Sequence, residues 1–310
     1  MLKSIVVLAA VAIFPALLLG QPAVPARPAI TGISHITLFA DDLPKSQQFY
    51  AGLLGWDQVP SGNASSGVRF YANHSQYVAL LTSPSAELAN RLDSVAFVTS
   101  DAEAMRRYLG SQGVTVPGKV TVEADGSRSF TIHDPEGNKV GFTQDGPHPP
   151  GKRASAAQSL SSHIIHAGYV VRDRAVMDHF YKDLLGFHLY WQGGNPPTQV
   201  NWVMMQVPNG TDWIEYMLLL PADLSRGQLG TANHFAPGVV SVVELQQKLE
   251  ARGWKAAPGK DPKTLGVDGK WQIGLRDPDG TRVEFMEFAP VKEPCCDPTT
   301  GTNPSPQTNW

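Results

Sequence analysis

The sequence contains two copies of one pattern, and this duplication restricts the possible folds more than any other feature. The segment that starts at His35, HITLFADDLPKSQQFYAGLLGW, aligns without gaps with the segment that starts at His166, HAGYVVRDRAVMDHFYKDLLGF. Further along, HDPEGNKVGF from His133 matches RDPDGTRVEF from Arg276. This repeat predicts two homologous domains, at residues 30–148 and 162–290, joined by a linker at residues 149–161 that is rich in Pro, Gly, Ser and Ala.

Each copy has the hydrophobic spacing of a mixed fold. Apolar and polar residues alternate around His35 and His166, as in strands, whereas residues 43–54 and 176–185 have the apolar spacing of about 3.6 that is typical of helices. The DPEG and DPDG segments predict hairpin turns, because Pro and Gly supply backbone angles that most residues avoid. We therefore expect an α+β fold with mostly antiparallel sheets.

Composition and charge exclude several classes of partner. The chain has 310 residues, of which 42% are hydrophobic, so it can bury a large core. Its formal net charge is -3 and it has no long basic run, which argues against nucleic acid or an anionic membrane surface as the main partner. Its two cysteines, Cys295 and Cys296, are adjacent, so a disulfide scaffold and a cysteine-based zinc site are both excluded. We therefore expect the main partner to be a small molecule.

Both ends of the chain differ in composition from the repeats. Lys3 precedes an apolar run at residues 5–19, which is shorter than the roughly 20 residues needed to span a bilayer. We predict a signal peptide at residues 1–26, a secreted or periplasmic protein, and no stable membrane anchor after cleavage; an uncleaved anchor is the alternative. Residues 291–310 are rich in Pro, Thr and Asn and predict a disordered tail.

The repeated motifs resemble those of the vicinal oxygen chelate superfamily, which includes glyoxalase I, fosfomycin-resistance proteins and extradiol dioxygenases. The similarity rests on the two His-led strands, the FYxxLLG helix ends and the DPDGxxxEF terminal hairpin, and it covers nearly all of residues 30–290. It implies two tandem domains of paired βαβββ units, each pair curving a sheet around a cleft that holds a divalent metal. Such clefts are built within one chain or between chains, so a homodimer remains open.

The resemblance also implies which residues bind the metal. In the second copy the ligand positions are occupied by His166, Glu215, His234 and Glu284; in the first copy they are occupied by His35, Ala79, Ser94 and Gly141. One histidine among three residues without ligand atoms cannot hold a metal, so the first site is degenerate. A mixed imidazole and carboxylate set suits Fe, Mn, Ni, Co or Zn as a divalent ion. The alternative is that these are ordinary strand glutamates and core histidines.

The role of Glu215 separates two chemistries. If Glu215 binds, four protein ligands leave two open positions, as in a glyoxalase-like isomerase or lyase that chelates two adjacent substrate oxygens, with Glu215 or Glu284 as the base. If Glu215 stays free, the two histidines and Glu284 form a facial triad, as in an extradiol dioxygenase that uses Fe(II). The tyrosine that those enzymes place about ten residues before the last glutamate is replaced by Gly274 here.

A third hypothesis is a metal-free protein that binds a small molecule. Trp202, Tyr216 and Trp271, together with nearby methionines, are candidates to line an apolar pocket in the second domain. Large apolar residues on strands are also typical of a plain core, so this pocket stays an alternative to core packing.

Overall fold

The computed structural model describes residues 25–60, 67–123, 126–146 and 158–306. These residues form two mixed eight-stranded sheets, one in each half of the chain. Nearly all of the predicted signal peptide, and most of the predicted linker, lie outside the described residues. No helix within the described ranges is long and apolar enough to cross a membrane.

The first domain contains eight strands and two helical connections. Its strands are β1 (Ile30–Ala40), β2 (Asp57–Pro60), β3 (Val68–Tyr71), β4 (Tyr77–Thr82), β5 (Leu92–Thr99), β6 (Thr121–Val122), β7 (Arg128–His133) and β8 (Lys139–Gln144). Its helices are α1 (Leu43–Gln47), which continues as the π-helix π1 (Gln48–Leu53), and α2 (Ala102–Ser111).

The second domain repeats this order. Its strands are β9 (Ile164–Val170), β10 (His188–Gly193), β11 (Trp202–Gln206), β12 (Trp213–Met217), β13 (His234–Val239), β14 (Lys263–Leu265), β15 (Trp271–Arg276) and β16 (Arg282–Glu287). Its helices are α3 (Arg174–Asp178), which continues as π2 (His179–Leu184), α4 (Arg226–Ala232) and α5 (Val242–Ala251).

Both sheets have the same topology. Their strand orders are β2-β3-β4-β1-β5-β8-β7-β6 and β10-β11-β12-β9-β13-β16-β15-β14. In each sheet the first strand is parallel to the fourth and antiparallel to the fifth. Each sheet therefore consists of two βαβββ units whose first strands meet at the centre. This confirms the predicted α+β class and the two tandem domains of paired units.

The helices begin at equivalent points of the two copies because the sequence supplies equivalent caps. The side chains of Asp42 and Asp173 accept backbone N–H bonds at the starts of α1 and α3. Asp101 and Ser241 do the same for α2 and α5. A capped first turn satisfies N–H groups that have no partner inside the helix, so the helix starts where the cap stands.

Strand alternation gives each sheet a core face and a cleft face. On β12, Ile214 and Tyr216 belong to the large apolar core that also contains helix residues. Trp213, on the same strand, belongs to a smaller apolar cluster on the other face, together with Trp191 and Met204. The functional side chains of the second domain therefore project from the face that carries the smaller cluster.

The two domains contact each other through equivalent residues of the repeat. Tyr50 of π1 donates to Asp277 in the β15–β16 turn at 2.9 Å, and Tyr181 of π2 donates to Asp134 in the β7–β8 turn at 3.4 Å. The backbone N–H groups that follow β1 and β9 also contact carboxylates of these two turns. The helix end of each domain thus binds the terminal hairpin of the other, with approximate twofold symmetry.

Residues 291–306, the C-terminal segment, pack on the second domain, so the predicted disordered tail is wrong for this part of the chain. The N–H of Cys295 donates to the Val267 carbonyl at 2.7 Å, and Trp191 donates to the Cys295 carbonyl at 3.2 Å. The N–H of Thr300 donates to the Tyr190 carbonyl at 2.9 Å. The two adjacent cysteines form a disulfide with each other. Because β10 is an edge strand, its unpaired backbone groups are available to order a polar segment.

Candidate metal centre

Four side chains from the centre of the second sheet converge on its cleft face. They project from β9, β12, β13 and β16, which are neighbours in the sheet, and are His166, Glu215, His234 and Glu284. The register places Glu215 and His234 on either side of Gly168 in β9. One potential ligand atom of each residue lies within 4.8 Å of the others, and all four residues are buried. The structure brings together every residue of the predicted ligand set.

The shortest distances surround Nε2 of His234. This atom lies 3.1 Å from Nε2 of His166, 3.0 Å from Oε2 of Glu284 and 3.5 Å from Oε2 of Glu215. Nε2 of His166 is 3.5 Å from the same oxygen of Glu284. Two imidazole nitrogens and two carboxylate oxygens therefore face a common centre.

The surroundings direct both imidazole rings toward this centre. Nδ1 of His234 bonds the carbonyl of Ala232 at 2.9 Å, and since a carbonyl can only accept, Nδ1 carries the proton. In the neutral form, in which histidine binds metals, the lone pair is then on Nε2, which faces the common centre. The His166 ring stacks on Trp213 with centroids 5.0 Å apart, and its Nδ1 has no hydrogen-bond partner among the described residues.

Burial and nearby charges act differently on the four groups. Burial raises the pKa of Glu215 well above its ordinary value, and the charge of Glu284 adds to this effect. Burial also opposes ionisation of Glu284, but Arg282 and the two histidines hold the pKa of this carboxyl well below its ordinary value. Burial lowers the pKa of His166 to about 4, so this imidazole is neutral at neutral pH, the form in which histidine binds metals.

The donor set fits a divalent transition metal. Neutral imidazole nitrogens combined with carboxylate oxygens suit Fe(II), Mn(II), Ni(II), Co(II) or Zn(II). Glu215 accepts no hydrogen bond from any described residue and has only its 3.5 Å ion-pair contact with His234. A buried carboxylate without a donor is costly unless a cation or a proton compensates its charge. A cation at the common centre would supply that compensation.

A cavity of about 240 Å³ opens beside the cluster, and Glu215 and Glu284 form part of its wall. The rest of the wall contains both apolar and polar side chains. Its apolar residues are Trp191, Trp202, Met204, Leu265, Val267 and Met286, and its polar side chains are Asp268, Gln272 and Arg282. Space next to the potential metal ligands is therefore available for a small molecule.

The structure places Trp202 on the cavity wall, but the prediction for Tyr216 and Trp271 is wrong. Successive side chains of a strand point to opposite faces. Tyr216 directly follows Glu215 and is buried in the main core, on the face away from the cavity. Trp271 directly precedes Gln272 and also packs against the main core.

The first domain presents the equivalent positions without the ligands. Thr37 of β1 pairs with Ala79 and Ser94, as Gly168 of β9 pairs with Glu215 and His234. The predicted alignment of these positions therefore agrees with the sheet register. His35 stacks on Tyr77, with ring centroids 4.6 Å apart. Within the described residues, no second group of potential ligands converges.

Three charged residues beside the cluster were missed by the sequence reasoning. Arg282 donates to Oε1 of Glu284. Asp268 lines the cavity, and Lys270 is 1% exposed with Nζ 4.5 Å from the centre of the Trp213 ring. Strand alternation could have found Arg282, because a residue two positions before Glu284 shares its face. Asp268 and Lys270 lie in a turn, where no periodic signal exists.

Comparison with solved structures shows the same fold in proteins of low sequence identity. The Mn(II)-bound glyoxalase from Novosphingobium aromaticivorans is 21% identical, with a TM-score of 0.63 over 84% of this chain and 83% of that chain. Homoprotocatechuate 2,3-dioxygenase from Brevibacterium fuscum, in complex with 3,4-dihydroxyphenylacetate, is 18% identical, with a TM-score of 0.63 over 86% and 83% of the two chains.

The comparison by sequence gives the family. No curated protein matches this chain. The profile of the Glyoxalase/Bleomycin resistance protein/Dioxygenase superfamily matches residues 32–142 and 163–285, one match in each domain. Together the two matches cover most of the chain, and they agree with the topology of the two sheets. This protein therefore belongs to the glyoxalase/bleomycin resistance protein/dioxygenase superfamily.

Proposed function

We propose that this protein is a divalent-metal-dependent enzyme of the glyoxalase type, an isomerase or lyase that acts on a small substrate with two adjacent oxygens. The observation that carries this proposal is the convergence of four donor atoms, Glu215 included, within 4.8 Å of one another. Four protein ligands around a six-coordinate ion would leave two positions, which suits a chelating substrate and would leave no position for dioxygen.

The metal would be held by His166, Glu215, His234 and Glu284. When bound, it would supply Lewis acidity, which stabilises the negative charge that develops on substrate oxygens as a proton leaves. The donor set favours Fe(II), Mn(II), Ni(II), Co(II) or Zn(II). The apolar wall that contains Trp191 and Met204 would limit water around the reacting atoms.

Glu215 is the better candidate for the catalytic base. Glu284 is held by Arg282 on one oxygen and by both histidines on the other. The only ion-pair contact of Glu215 among the described residues is with His234, and Glu215 lines the cavity. A carboxylate that keeps a free oxygen at the cavity surface can accept a proton from a substrate bound there.

The alternative is a ring-cleaving dioxygenase of the extradiol type that uses Fe(II). The two shortest contacts of the cluster join His234 to Glu284 at 3.0 Å and to His166 at 3.1 Å. Two histidines and one carboxylate are the facial set of non-haem iron oxygenases, and this set would leave three positions open. In that case Glu215 would lie beside the metal without binding it.

Metal content tests the site itself. We expect the purified protein to retain about one equivalent of a divalent transition metal. His234→Ala should weaken metal binding by more than the roughly 10- to 100-fold that the loss of an outer-shell partner costs. The control is His179→Ala, because His179 is exposed on π2. Less than about a tenth of an equivalent in the wild type, unchanged in His234→Ala, would support the metal-free binding protein instead.

Two assays distinguish the enzyme classes. A glyoxalase-type enzyme should catalyse exchange of the carbon-bound proton of a hydroxy ketone with solvent deuterium, and Glu215→Gln should abolish this exchange. A dioxygenase should consume dioxygen with catechols when loaded with Fe(II). Dioxygen consumption by the wild type, together with full metal content in Glu215→Ala, would refute the glyoxalase-type proposal.

We also propose that the protein is exported. The apolar run at residues 5–19 supports this, as does the Cys295–Cys296 disulfide, because disulfides persist in oxidising compartments. N-terminal sequencing of the protein from its native host should place the first residue between positions 20 and 27. A mature protein that retains residues 1–19 would contradict this.

A further inference from the structure

Arg282 is the one cationic side chain among the residues that line the cavity. It projects from β16 two positions before Glu284, on the same face of the strand. Its Nη2 donates to Oε1 of Glu284 and to Oε1 of Gln272, the latter at 2.9 Å. The side chain keeps 24% of its surface exposed. Arg282 is therefore anchored at one nitrogen and accessible from the cavity.

The neighbouring strand provides the space in which this side chain lies. Gly274 of β15 pairs with Glu284 across the sheet. A Cβ at Gly274 would lie 3.4 Å from Nε of Arg282, so the arginine extends closely over the glycine backbone. A large side chain at Gly274 would displace the guanidinium from the cavity wall. The chain thus presents an arginine beside the potential metal ligands.

Most of the hydrogen-bonding capacity of Arg282 is unused. A guanidinium has five N–H donors in a fixed plane. The two bonds described above come from Nη2, whereas Nε and Nη1 bond none of the described residues. Three N–H groups are therefore left for a ligand. A charge-assisted bond from Nε or Nη1 can bind an oxygen of a carboxylate.

The charges around the cavity also favour an anion once a metal is present. Glu215, Glu284 and Asp268 line the cavity, and Lys270 lies close enough for its charge to act on Glu215 and Asp268. Three carboxylates and the two cations Arg282 and Lys270 leave one formal negative charge. A divalent metal converts this to one positive charge, which suits a substrate with a single negative charge.

We infer that Arg282 determines substrate specificity by binding a carboxylate of the substrate. The substrate class is then a small acid in which a carboxylate adjoins the hydroxyl and carbonyl oxygens that reach the metal. This inference rests on the proposed function and narrows its substrate. Gln272 takes part as the residue that holds Nη2 of Arg282 in place.

The test compares two probes that differ only in the anionic group. Hydroxypyruvate carries a carboxylate where hydroxyacetone carries a methyl group. Binding of each probe to metal-loaded protein is measured by calorimetry for the wild type, Arg282→Gln and Arg282→Lys. The control is Lys248→Gln, which removes one positive charge from an exposed position on α5. The metal content of every sample is measured as well.

We expect the wild type to prefer hydroxypyruvate. Arg282→Gln should lower this preference roughly 10- to 100-fold, the effect of losing charge-assisted bonds, with little change for hydroxyacetone. Arg282→Lys should keep part of the preference, because it retains the charge but loses the fixed direction of the guanidinium donors. Lys248→Gln should bind both probes as the wild type does.

The inference would be overturned if the wild type showed no preference for hydroxypyruvate. It would also be overturned if Arg282→Gln lost affinity for both probes equally, because Arg282 would then be only a structural partner of Glu284. If Arg282→Gln releases the metal, the wild type is compared with Arg282→Lys, and an unchanged preference there would also overturn it. Failure of the proposed function has different signatures, which are absent metal in the wild type or dioxygen consumption with catechols. The ratio of the affinities for hydroxypyruvate and hydroxyacetone tests the role of Arg282 independently of these results.

Discussion

At the scale of single residues, Gly168 shapes the candidate metal centre although it offers no ligand atom. A Cβ on Gly168 would lie 2.3 Å from Cε1 of His234 and 2.4 Å from its Nδ1. Such distances are well below van der Waals contact, so the imidazole ring can occupy its observed position only against a glycine. The bond from His234 to Ala232 then selects the tautomer. Ring position and tautomer are therefore set by neighbours of the ligand.

We predict that Gly168→Ala displaces the His234 ring and weakens metal binding by about 10- to 100-fold, the usual cost of losing outer-shell support. Metal titration of the apo-protein measures this. Gly227→Ala is the matched control, because no atom lies within 4 Å of a Cβ at Gly227. Equal metal affinity in Gly168→Ala and the wild type would show that the ring can move without loss of binding.

At the scale of elements, the C-terminal segment packs against residues that line the cavity of the second domain. Its contacts with β10 and with the turn between β14 and β15 include residues that lie close to the candidate metal centre. Val267 and Trp191, which bond Cys295, both line the cavity. Asn303 bonds the hydroxyl of Tyr190, whose ring stacks on Trp213. The segment thus supports the aromatic row that also holds His166.

We predict that removal of residues 291–310 lowers the free energy of unfolding by about 2 to 5 kcal/mol, since several hydrogen bonds of about 1 kcal/mol each are lost. The thermal unfolding midpoint should fall by several degrees in a calorimetric scan. Replacing both cysteines by serine should have a smaller effect. The backbone bonds of Cys295 to Val267 and Trp191 remain, and a bridge between adjacent residues closes almost no loop. An unchanged midpoint in the truncated protein would contradict the packing role of the segment.

At the scale of the whole molecule, the two domains are joined by buried polar contacts that the duplication repeats. The pKa of Asp277, which accepts from Tyr50, is raised to about 6 from an ordinary value of 3.8. Burial is the main cause, and the charge of Asp279 adds to it, against the bonds from Thr281 and Tyr50. Ionised Asp277 is therefore a source of instability at the contact between the domains.

We predict that stability at this contact falls as the pH rises from 3.8 to about 6, because the folded state holds the proton of Asp277 more tightly than the unfolded state does. Asp277→Asn removes this titration and keeps an acceptor for the turn. Its stability relative to the wild type should therefore be greater at pH 7.5 than at pH 4.5. Urea midpoints at the two pH values measure the difference. Asp223→Asn, at an exposed position, is the control and should show no such change. An equal difference in stability between Asp277→Asn and the wild type at both pH values would refute the prediction.

Several features of this protein could be predicted from the sequence because they depend on local pattern and on duplication. The repeat predicted two copies of one α+β domain, and the sheets confirm this. The loss of ligands from the first copy was also visible, since Ala79, Ser94 and Gly141 cannot bind a metal. By contrast, the tail prediction failed because composition reports how little a segment can bury. It does not report whether an edge strand is available to receive that segment.

The sequence by itself determined the fold class, because a period of two along the strands and the order of the motifs leave few alternatives. The four converging side chains were implied by the resemblance of those motifs to a known superfamily. Only the tertiary structure decided which aromatic residues face the cavity, because a shift of one position in a strand reverses the face, as for Tyr216. It also decided that Arg282, Asp268 and the C-terminal segment lie beside the candidate metal centre. Those proximities arise from packing between distant parts of the chain, and no local pattern encodes them.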